Sequence, residues 1–92
     1  MILNNIQKKI TTFSIIAMHI QPLTQLGTSR NATVVRLKLD IAEQTRLTQL
    51  GLRCGVTVKI LQANEGAPLL LAVGDSRIGL NYQTAQNVYV AA

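Results

Sequence analysis

Residues 40–60 read DIAEQTRLTQLGLRCGVTVKI, and this stretch decides the fold. Asp40 is a good N-cap, and Glu43 stands three residues on, where a capping box places a carboxylate that reaches back to the cap amide. Gly51 follows the last apolar position, as a left-handed residue just past a helix end should. That placement makes Leu47 and Leu52 the apolar pair of a Schellman ending. Arg53-Cys54-Gly55 then offers a tight turn, with the glycine free to take positive φ. Val56, Val58 and Ile60 alternate with Thr57 and Lys59, the period of a strand with one buried face.

Upstream, residues 22–26 lead in, Gly27-Thr28-Ser29 turns the chain, and the β-branched run at 33–37 predicts a first strand. Downstream, Asn64, Glu65, Gly66 and Pro68 mark a loop. Residues 69–73 form an apolar strand whose start suits the donor-less Pro68 before it. Gly74-Asp75 is a two-residue hairpin signal, with glycine at the first central position of a type II′ turn. Residues 77–80 return as a strand, 81–86 are polar enough for one helical turn, and 87–90 close the chain as a last strand. The reading is mainly β: a small, partly open barrel of about five strands, with one short helix between the first two. A strand-helix-strand start permits a parallel pair, but the hairpin-length turns that follow favour antiparallel neighbours.

Residues 1–20 differ in character. Ile6, Ile10, Phe13, Ile16 and Ile20 recur every three to four positions, the period of an amphipathic helix that lies on a membrane or docks on a partner. Two plainer readings compete: a dispensable extension weakened by β-branched residues, or a start at Met18. The chain therefore divides into an extension, 1–20, and a domain, 21–92.

Ninety-two residues, nearly half of them apolar, allow one domain with a modest aliphatic core. The net charge of +5 comes from scattered basic residues, Lys8-Lys9 being the one adjacent pair, and fits several anionic partners equally. A single cysteine builds no internal disulfide and suits a reducing cytoplasm. No apolar run approaches the roughly 20 residues of a membrane span. The short apolar stretch after Lys8-Lys9 lacks a clear cleavage site.

Chemistry finds little purchase. His19 and Cys54 are the sole histidine and cysteine, and neither has a neighbour at metal-ligand spacing, so Cys54 is at most a weak metal candidate. Asp40 and Glu43 are absorbed by the cap and Asp75 by the hairpin, while Glu65 stands alone in a loop. No carboxylate pair and no nucleophile-base pair remains, which argues against an enzyme and against a resident cofactor. A nucleic-acid surface would need several aromatics on one face, and Phe13, Tyr82 and Tyr89 are the only ones. The strand at 69–71 is apolar on both faces, as is the corner at Leu50 and Leu52, so one face is expected to meet a partner or another copy of the chain.

The run L-x-x-L-G-L-x-x-G-x-x-V-x-I at residues 47–60 resembles the ferrous iron transport protein A (FeoA) family. The opening P-L-x-x-L segment from Pro22, Ala67-Pro68-Leu69, the strand at 77–80 and Asn87-Val88-Tyr89-Val90 extend the resemblance over about residues 21–91. Cys54 stands where the family usually has proline, and Gly27-Thr28-Ser29 replaces its more usual turn. The resemblance implies an SH3-like barrel and a small cytoplasmic accessory protein of ferrous iron uptake, neither transporter nor GTPase. It further implies protein-protein contact with the cytoplasmic GTP-binding part of the permease FeoB, at the inner face of the membrane. Some members are linked with transition metals, for which this chain supplies few soft ligands. The contact is expected at Leu50 and Leu52 with the flanking Arg46 and Arg53. Two alternatives remain open: a nucleic-acid-binding small barrel, and a module related to the C-terminal SH3-like domain of metal-dependent repressors.

Overall fold

The computed structural model describes residues 20–64 and 66–92. In chain order they form β1 (Ile20–Pro22), a 3-10 turn (Leu23–Gln25), β2 (Asn31–Leu37), α1 (Ile41–Gln49), β3 (Thr57–Gln62), β4 (Leu69–Val73), β5 (Ser76–Leu80), the one-turn α2 (Tyr82–Ala85) and β6 (Val88–Ala91). All pairings are antiparallel, in the order β1-β6-β2-β3-β4-β5. The two edge strands do not pair with each other, so the barrel is partly open.

Strand alternation puts Ala32, Val34, Val58, Ile60, Leu71, Leu80, Val88 and Val90 on one buried face. Leu23, Leu26, Leu47, Leu52 and Ala85 close over it from the turns and helices. No polar side chain is buried among the described residues. Two bulges interrupt the alternation, at Val35 against β6 and at Leu61 against β4. The first leaves Val35 and Arg36, consecutive in sequence, both exposed.

Helix α1 is held by its ends. The Asp40 carboxylate accepts from the Glu43 amide at 2.8 Å. At the other end the Gly51 amide donates to the Thr48 carbonyl and the Leu52 amide to the Leu47 carbonyl, both at 2.9 Å, with Gly51 at φ 94°. These are the two bonds of a Schellman motif, and Leu47 and Leu52 are both completely buried. Between the ends, the Gln44 side-chain amide donates to the carbonyls of Leu37 (3.2 Å) and Leu39 (2.7 Å), tying the helix to the end of β2.

Several expectations change in detail. A sixth strand, β1, pairs with β6, so the helix lies between the second and third strands. Three residues ending in proline carry too little periodicity to read as a strand. The capping box is only half made, because the Glu43 carboxylate turns to Arg46 instead of the cap amide. In β4, Leu69 and Leu71 are buried and Leu70 is half-buried, so its second face is less open than the sequence suggests. The Gly74-Asp75 hairpin has glycine alone at positive φ, as a type II′ turn requires. The proposed N-terminal helix lies outside the described residues, apart from Ile20.

Leu52→Ala is expected to lower the unfolding free energy by about 2–5 kcal/mol. Gly51→Ala, which forces a Cβ into the left-handed region, should cost about 1–2 kcal/mol. Urea denaturation of the two variants beside the parent measures both.

Candidate interaction surface

The corner after α1 is built from two consecutive reversals. Beyond the Schellman turn, the Val56 amide donates to the Arg53 carbonyl at 3.3 Å, with Gly55 at φ 96°. Glycine at the third position of such a turn makes it type II, whose second position, here Cys54, is the one that favours proline. The turn is stitched to β2, since Gly55 donates to the Val34 carbonyl (2.7 Å) and Val34 to the Val56 carbonyl (2.9 Å). Arg53 and Cys54 therefore project from a rigid support, and both are exposed.

Arg46 and Leu50 lie four residues apart, on the same flank of the helix as Glu43. Leu50 is 42% exposed. Arg46 forms a bidentate pair with Glu43, its Nε lying 3.2 Å from Oε2 and a terminal nitrogen holding Oε1. The hydrogen bond from Arg46 lowers the Glu43 pKa, and the same bond raises that of Arg46. Arg53 has no ion-pair partner among the described residues.

Leu52 corrects the expectation for this corner. It is fully buried, because the Schellman geometry folds it back over Leu47. An aspartate there would unfold the barrel before it tested a surface. The exposed set is therefore Arg46, Leu50, Arg53 and Cys54. Ile41, passed over in the sequence, is 82% exposed at the start of α1. Its signal was present: at about 100° per residue it falls roughly 120° around the helix from Leu47, away from the core and on the flank opposite Leu50.

Cys54 is a free, exposed thiol. Among the described residues no three His, Cys, Asp or Glu side chains cluster to hold a metal, and no helix is long and apolar enough to cross a membrane. His19 and Phe13 lie outside the described residues. Tyr82 borders an open cleft of about 710 Å³ with Thr24, Asn64 and Leu69. Tyr89 borders a second, of about 450 Å³, with Ile20, Val35, Arg36 and Lys38. The two tyrosines thus line different clefts.

The family model of the FeoA domain matches residues 21–92. The chain belongs to the FeoA family. Among solved structures, an iron uptake regulatory protein (FeoA) is 25% identical with a TM-score of 0.74, the match covering 78% of this chain and 96% of that one. FeoA of Stenotrophomonas maltophilia, solved with zinc and described as a procaryotic SH3 domain protein, is 30% identical at TM-score 0.62, covering 74% and 86%. A manganese-dependent transcriptional repressor shares the fold at 17% identity and TM-score 0.73, covering 79% of this chain but only 41% of its own length. No functionally curated protein matches the sequence. The FeoA fold seen here is thus an SH3-like barrel carrying a helical corner.

Cys54→Pro, which supplies the residue that this turn position favours, should raise stability by about 0.4–1 kcal/mol by restricting the unfolded chain, read as a shift in the urea midpoint. The Glu43–Arg46 pair has its own pH signature. A lowered carboxylate pKa contributes stability that is complete above the ordinary glutamate value of about 4.3 and is lost as pH falls through the lowered one. The melting-temperature difference between the parent and Glu43→Gln should accordingly shrink on going from neutral pH to about pH 3. The pair is exposed, so the difference is small at any pH.

Proposed function

We propose that the chain is a non-enzymatic accessory protein of ferrous iron uptake, acting by contact with the cytoplasmic GTP-binding part of a FeoB-type permease. The observation that carries this reading is the FeoA match across residues 21–92. The iron-uptake naming of the FeoA structures it resembles agrees with it. The surface supports a docking role over a chemical one. Asp40 is used as a helix cap, Glu43 is paired with Arg46, and the exposed groups of the corner are apolar and basic: Leu50, Arg46 and Arg53.

The contact is placed on that corner, with Leu52 as its buried support. An apolar side chain rimmed by arginines is a common interface pattern, since arginine is enriched where partners meet. The cytoplasmic location and any peripheral membrane association follow from the permease partner and are part of the same proposal. A repressor-type role is less well supported, because likeness to the manganese-dependent repressor at 17% identity concerns the fold alone. Nucleic-acid binding is disfavoured by the scarcity of aromatics, the whole sequence holding one phenylalanine, two tyrosines and no tryptophan.

Binding of the full chain to the soluble GTP-binding domain of the permease, with GDP and with a non-hydrolysable GTP analogue, tests the reading. Saturable binding is expected, weakened on the order of tenfold or more by Leu50→Asp and little changed by Ile41→Asp. The reverse pattern would move the contact to the start of α1. Absence of binding in both nucleotide states, with the barrel folded, would overturn the permease partnership.

A further inference from the structure

The two edges of the open sheet are built differently. β1 is three residues long and ends in Pro22, which has no amide to offer a further strand. β5 runs five residues with no proline, and its register against β4 has no bulge. The two-residue hairpin makes Val73–Ser76 a hydrogen-bonded pair, and bonded pairs then recur at alternate positions, Leu71–Ile78 and Leu69–Leu80. Arg77 and Gly79 fall in the intervening pairs, so their amides and carbonyls point away from β4. Both residues are exposed, and neither has another backbone partner among the described residues. Natural edges are usually guarded by charges, prolines or bulges. Among the described residues the guard is Arg77 alone, and none of their atoms lies within 4 Å of where a Cβ on Gly79 would stand.

We propose that β5 pairs antiparallel with β5 of a second copy, about a two-fold axis at Ile78. In this register Arg77 lies opposite Gly79 of the second copy and Gly79 opposite its Arg77, so every outward amide and carbonyl of these residues is satisfied. Sliding by one step of the ladder sets arginine against arginine, which is destabilising, or glycine against glycine, and leaves part of the edge unpaired. The favoured register lays each arginine over a residue with no side chain, with Cα atoms about 5.5 Å apart. The aliphatic stem then runs on toward Leu70, the half-buried neighbour of Gly79 across β4. The reciprocal fit of Arg77 to Gly79 is a property of this strand with itself, which favours a second copy over an unrelated extended peptide. Two-fold pairing closes on itself and gives a dimer, not a fibre.

Sedimentation equilibrium of the full chain, in reducing buffer so that Cys54 forms no crosslink, tests this from micromolar to millimolar concentration. A monomer–dimer equilibrium is expected, weak because a strand-edge interface is small. Gly79→Pro removes an outward amide without touching a β4 bond and is expected to abolish the dimer while circular dichroism stays that of the parent. Gly79→Lys sets like charges opposite Arg77 and should weaken association at least tenfold, more so at low salt. If the proline variant fails to fold, the lysine variant decides. A parent that stays monomeric throughout, or a dimer that the folded variants leave intact, overturns the proposal.

Discussion

The contact between Leu47 and Leu52, closed around Gly51, is the constraint on which the rest of the chain's path depends. A nine-residue helix is too short to be stable alone, and α1 buries only Leu47 along its length. It survives because both ends are tied: Asp40 caps one, Gln44 grips the end of β2, and the Schellman bonds fold Leu52 back into the core. That reversal delivers the chain into the type II turn, whose Gly55 amide meets Val34. The register of β3 on β2 is thereby fixed, and β4 and β5 follow by successive antiparallel pairing.

Local chemistry made most of this legible. The Asp40 cap, the Gly51 stop, the Gly55 turn and the Gly74-Asp75 hairpin each rest on a residue type whose conformational or hydrogen-bonding preference acts over a few positions. What escaped the sequence depends on neighbours distant in the chain. β1 exists because β6 offers it a partner, and its own three residues do not announce it. The bulge at Val35 comes from fitting β2 to β6, and nothing in Thr33-Val34-Val35-Arg36 marks which residue is extra. Leu52 shows a subtler limit. The motif that marks it as a helix-stop residue also buries it, so its apolar character at a corner does not make it a surface residue.

Polarity in this barrel is divided sharply between inside and outside. Its interior holds only aliphatic side chains among the described residues, and its carboxylates at Asp40 and Glu43 are engaged in holding the helix. The exposed surface of the described residues carries basic groups, the Asp75 carboxylate, half-exposed leucines and a rigid turn. A scaffold of this kind offers a partner a fixed shape at low ordering cost, because the turn bearing Arg53 and Cys54 is already hydrogen-bonded to the sheet.

The pairing of Ile20 with Ala91 has a consequence for how such a domain is used. The chain enters and leaves the barrel side by side, on neighbouring strands. A domain with adjacent entry and exit can be spliced into or appended to a longer polypeptide with little disturbance to either. The same architecture can therefore make up nearly all of one chain, as in the iron uptake regulatory protein, and under half of another, as in the manganese-dependent repressor. By the same geometry, a short linker from Ala91 to Ile20, with a new opening at Gly74-Asp75, would give a circular permutant of residues 20–91 with the sheet order intact.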